Sequence, residues 1–245
     1  MRPKRYNLIM MFNVSVVTFS LFIVLMLALN PPITSENLFW RKPLVGIVFS
    51  LICVSGIFAA FFPKHCTGTY HFQKEGNNLA SRSFSSTVEG HHLSCAKFSA
   101  HVIHARNHTL CAACTGLCLG AFMTLVGTDL YFFCGWCYEQ TPISAVLIGM
   151  VGVVFGFLQL KSMGFARLML NAFFVVGAFL ILVGIDELTQ NIFVDLFLLA
   201  LIVFWILTRI LLSQWDHWRI CSNCKSSCEA RKSRKNGVQD LRRNP

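Results

Sequence analysis

Six long apolar runs, separated by short polar breaks, set the rhythm of the chain. The first covers about Leu8 to Leu29 and ends at Asn30-Pro31-Pro32. Proline lacks the amide donor and disfavours helix in the residue before it, so a helix stops there. The second run, about Leu44 to Phe62, is closed by Pro63. The others cover about Cys114 to Phe133, Ile143 to Leu160, Leu168 to Ile185 and Ile192 to Leu212. Each approaches or exceeds the ~18 apolar residues that mark a helix crossing a bilayer. Gly116 with Gly120, and Gly152 with Gly156, give two of these helices the small-xxx-small spacing that lets membrane helices approach closely.

Between the second and third runs the pattern breaks for residues 63–110. Its first part, QKEGNNLASRSFSSTVEG, is polar and poor in hydrophobics and reads as a linker. Its second part, KFSAHVIHARNHTL, partly alternates and predicts a short hairpin turning at Arg106-Asn107. The expected fold is therefore an all-α polytopic membrane protein of six transmembrane helices, with a small zinc-ribbon-like or knuckle insertion between helices 2 and 3. The expected segments are 1–62 (helices 1 and 2), 63–113 (linker and His/Cys module), 114–212 (helices 3–6) and 213–245 (basic tail).

Composition agrees with a membrane chain: 55% of the 245 residues are hydrophobic and 13% charged, where soluble domains sit nearer a quarter charged. The basic start and apolar stretch imitate a signal peptide. The stretch exceeds a usual h-region and no small-x-small site follows, so it reads as an uncleaved first helix. The net charge of +10 concentrates in MRPKR and in the tail RKSRKNGVQDLRRNP. Beside membrane helices such runs favour anionic lipid headgroups over nucleic acid. Lys64, Lys74, Arg82, Lys97, Arg106, Lys161 and Arg167 lie on the same set of helix ends as both termini. Arg41 and Lys42 lie on the other set, and the loops 134–142 and 186–191 carry no Lys or Arg. The basic set is expected in the cytoplasm, which puts both termini and the 63–110 loop there.

The loop is where chemistry concentrates. Glu89 to Cys114 holds five of the eight histidines and three of the eleven cysteines. In a reducing compartment a cysteine cluster favours metal over disulfide. Cys111-x-x-Cys114 can chelate one ion from a tight turn, and zinc takes four such donors in a tetrahedron. Cys95 is the expected third ligand. His92 leads for the fourth, with His91 and His101 close behind, while His104 and His108 read as outer or exposed. Such a site would be structural or recruit a cytoplasmic protein partner.

Two other classes compete. A Cys-x-x-Cys at a helix start has an activated thiol, the physics of a dithiol oxidoreductase, but no βαβ context surrounds it. A membrane metalloenzyme would need a general base, and Glu89 is the one carboxylate near in sequence. Covalent haem attachment requires His after the second Cys, where Thr115 stands, and His-Glu-x-x-His is absent. A metal or ion transporter would need a polar path through Asp129, Asn171 or Gln159. Asp129, Asp186, Glu187 and Asp195 all fall near one set of helix ends and read as interfacial caps. In the tail, Cys221, Cys224 and Cys228 form a candidate second metal site or lipidation site.

The segment Gly90-His91-His92-x-x-Cys95, His101, then Cys111-x-x-Cys114-Thr115-Gly116 entering a membrane helix resembles an uncharacterised family of small polytopic membrane proteins of archaea and bacteria. The likeness covers about residues 89–125. It implies a metal site and no particular reaction. The linker 72–88 and the basic tail depart from it.

Overall fold

The computed structural model describes residues 3–32, 39–61, 102–105, 108–135, 142–158 and 164–222. The chain divides into two units, Met1–Leu212 and Ser213–Pro245. Among the described residues there are six α-helices and one two-stranded hairpin. They are α1 (Pro3–Leu29), α2 (Arg41–Phe61), β1 (Val102–Ala105), β2 (His108–Cys111), α3 (Ala112–Thr128), α4 (Pro142–Leu158), α5 (Gly164–Thr189) and α6 (Ile192–Ser222). The second unit is described only over the last turns of α6.

Five helical segments are long and apolar enough to cross a membrane. The remaining helix, α4, is apolar over the 17 residues described, Pro142–Leu158. Phe12, Phe19, Phe22, Leu51, Phe58, Phe122, Met123, Leu147 and Phe193 point outward. An outer surface this apolar suits lipid rather than water.

α5 is the central helix, with its main neighbours in α3 and α4. Small residues make this possible. α3 buries Ala112, Gly116, Gly120, Thr124 and Thr128, a four-residue repeat along one face. A Cβ on Gly120 would lie 2.7 Å from the Ala172 carbonyl oxygen, and one on Gly116 would strike the Leu168 carbonyl. α4 meets α5 with Gly149 against Gly177, each blocking a Cβ on the other at 2.5 and 2.6 Å. Of the glycines singled out by spacing, Gly116, Gly120 and Gly152 thus lie where backbones touch, and Gly156 makes room for the Phe174 ring. Val24, Phe49, Phe174, Ile181, Leu198, Ile202 and Trp205 fill the interior. The indole of Trp205 donates to Ser20 Oγ at 2.8 Å, tying α6 to α1.

Two local features aim polar side chains inward. Beyond Thr128 the third helix widens into a π turn, Asp129–Phe133, closed by the Cys134 amide donating to the Asp129 carbonyl at 3.0 Å. The extra residue per turn brings both Tyr131 and Phe132 into the interior and leaves Asp129 exposed. Between α5 and α6, Gln190 takes a left-handed φ of 47°. Asn191 then caps α6, its Oδ1 accepting from the Phe193 amide at 2.9 Å. This tight turn sets Asp186, one turn before it, beside Asp195, one turn after it.

Candidate functional site

The hairpin forms where alternation predicts it. β1 and β2 pair antiparallel, with Val102 opposite Cys111 and Ala105 opposite His108. Cys111 ends β2 and stands at the N-cap of α3 with extended backbone angles, φ −71° and ψ 116°. The chain enters β1 at Val102, so the residue bonded to His101 sits directly across from Cys111.

Cys111 and Cys114 are half-buried and not joined by a disulfide. Their side chains hydrogen-bond each other, and this contact does most to lower the Cys111 pKa to about 6. Burial opposes the shift. The backbone amides of Cys114 and Ala113 and the guanidinium of Arg167 add to it. No side-chain hydrogen bond formally caps the helix, yet these amides face the sulfur closely enough to favour a thiolate, as expected at a helix N-terminus. Close packing of Gly116 against Leu168 and Asn171 brings α5 to this end of α3. Thr115 Oγ1 donates back to the Cys111 carbonyl at 2.9 Å, fixing the first turn.

Of the ligands expected from sequence, Cys111 and Cys114 are placed together. His91, His92, Cys95 and His101 lie outside the described residues, as does Glu89. Cys221 falls in the last turn of α6, while Cys224 and Cys228 lie outside. Among the described residues, no three His, Cys, Asp or Glu side chains gather as a metal-binding group. Two thiols, one of them readily ionised, supply at most half of the four donors that a tetrahedral zinc takes.

A second polar constellation lies at the opposite helix ends, and sequence reasoning missed it. Arg41, the first residue of α2, is 4% exposed, and Asp186 and Asp195 are fully buried. The Arg41 Nη1 donates to Asp186 Oδ1 and, at 2.6 Å, to Asp195 Oδ2. Tyr131 Oη lies 2.7 Å from both Asp186 Oδ2 and Glu187 Oε2. Lys42 Nζ stands 3.6 Å from Glu187 and 4.6 Å from the Tyr131 ring centre. The carboxylates read as water-exposed caps are thus largely interior ion-pair partners. Asp129, named with them, is exposed and outside the network.

Of the residues named for a polar path, Asp129 and Asn171 are described. Asn171 is buried, accepts from Arg209 Nη2 at 3.1 Å and donates to the Arg167 carbonyl at 2.6 Å. Gln159 lies outside the described residues. Asn171 is ~22 Å along α5 from Asp186 at 1.5 Å per residue, and Phe174, Ile181 and Leu182 fill the helix face between. Comparison with family models, with curated proteins and with solved structures returns no match, so geometry alone carries the functional reading.

Proposed function

We propose that this chain is a six-pass integral membrane protein whose hairpin–helix junction forms a Cys/His metal site, zinc by its donor set. The observation that carries the reading is Cys111 beside Cys114 at the start of α3, with the Cys111 thiol ionising near pH 6. A metal-binding thiol must be deprotonated, and this one is ready at neutral pH. Cys95 and one imidazole, His92 first and then His91 or His101, complete the tetrahedron. The pairing of Val102, the first residue of β1, with Cys111 supports this. When bound, the ion cross-links loop to helix start. Its role is structural or recruits a partner, on the cytoplasmic side with both termini, where the basic tail meets anionic headgroups.

Metal analysis of protein purified without chelator tests this. About one zinc per chain is expected, with loss in Cys111→Ser and in Cys114→Ser. A metal-free wild type, or full zinc in both variants, overturns it. The lowered Cys111 pKa also favours a second reading, a thiol oxidoreductase using the same pair. In that case Cys114→Ser would trap mixed disulfides through Cys111, and the wild-type pair would cycle between dithiol and disulfide at a defined potential.

A further inference from the structure

The buried network at the far helix ends joins Arg41 and Lys42 of α2, Tyr131 of the π turn, Asp186 and Glu187 of α5 and Asp195 of α6. With every carboxyl ionised, neither its hydrogens nor its charges balance. Tyr131 Oη sits 2.7 Å from Asp186 Oδ2 and 2.7 Å from Glu187 Oε2. A phenol carries one hydrogen, and two carboxylates supply none. Two contacts of that length need a second hydrogen, held by one of the carboxyls.

The charge count agrees. Three carboxylates face two cations, and the excess falls beside Asp186 and Asp195, both 0% exposed, where unbalanced charge is costly. These two also accept from one nitrogen, Arg41 Nη1, and so lie no more than two hydrogen-bond lengths apart. Carboxylates crowded this way share a proton. Asp195 Oδ1 is buried and has no hydrogen-bond partner among the described residues.

We propose that this network is a proton-binding site, holding one proton among Asp186, Glu187 and Asp195. The proton belongs to the network rather than to a single carboxyl. Loaded, the site has two carboxylates facing two cations. Emptied, it leaves one net negative charge where α2, α3, α5 and α6 meet. Glu187 and Lys42, with side chains 32% and 37% exposed, give the site its opening to water.

Infrared spectroscopy of the purified protein in detergent at pH 7 tests the proposal. A neutral carboxylic-acid carbonyl band is expected in the wild type, shifted in heavy water and lost in at least one of Asp186→Asn, Glu187→Gln and Asp195→Asn. Should the variants fail to fold, the wild-type spectrum decides alone. A wild type with no such band, or the band retained in all three folded variants, overturns the proposal.

Discussion

Replacing Cys114 with alanine removes the neighbour that does most to lower the Cys111 pKa. With a pKa of about 6, roughly 90% of Cys111 is thiolate at pH 7, against roughly 1% for a thiol near 9. The gain in alkylation rate is smaller than that ratio, because nucleophilicity falls with pKa at a Brønsted slope of ~0.4–0.5. Over three units this lowers reactivity per thiolate by ~20–30-fold, leaving a net gain of ~3–5-fold over an ordinary thiol at pH 7. The pH profile is the sharper readout. In metal-stripped protein, iodoacetamide labelling of Cys111, followed by peptide mass spectrometry, should rise with a midpoint near 6 and be flat above neutrality. In Cys114→Ala the midpoint should climb toward the ordinary thiol range, held back by the amides and Arg167. The sign for stability follows: a lowered thiol pKa stabilises the junction fully above pH 9, and this is lost as pH falls through about 6. An unchanged midpoint in Cys114→Ala would refute the assigned cause, and a wild-type midpoint near 9 would refute the activated thiol altogether.

Arg41→Met should destabilise the bundle by ~3–5 kcal/mol in detergent unfolding, because it leaves two carboxylates buried without their cation. Gly149→Val should disrupt the α4–α5 contact, since its Cβ would lie 2.5 Å from the Gly177 carbonyl; a lower melting temperature and faster proteolysis near α4 would register it. Ser20→Ala should cost ~1–3 kcal/mol by orphaning the buried Trp205 indole N–H, with a change in tryptophan fluorescence in the folded state.

Run lengths and prolines locate the helices because partition between lipid and water is decided segment by segment. The differences from expectation have one physical source. The apolar run predicts a fifth helix ending at about Ile185, yet α5 continues to Thr189, where Asp186 finds Arg41 on another helix. Its start moves from Leu168 back to Gly164, taking in the buried Arg167. The sixth helix runs on to Ser222 with Arg209 buried and bonded to Asn171. A charge read alone marks the end of an apolar run; a charge with a distant partner does not. The same limit hid the far network. Arg41, Tyr131, Asp186 and Asp195 are scattered over 154 positions, and Arg41 looked like a topology signal. The π turn that inserts Tyr131 has no local signature in Asp129-Leu-Tyr-Phe-Phe. The hairpin was legible because alternation around Arg106-Asn107 is local, and so was the thiol pair at its end.

The contact of Gly149 with Gly177 bears on how the chain enters the bilayer. Backbone lies against backbone there, with no room for a lipid tail or a side chain between the helices. The brief connection of residues 159–163 joins α4 to α5. A seam this tight couples the two helices, so α4 and α5 should enter the bilayer together as a helical hairpin. A defect in their seam should therefore show as mistargeting of α4 before any loss of the finished fold.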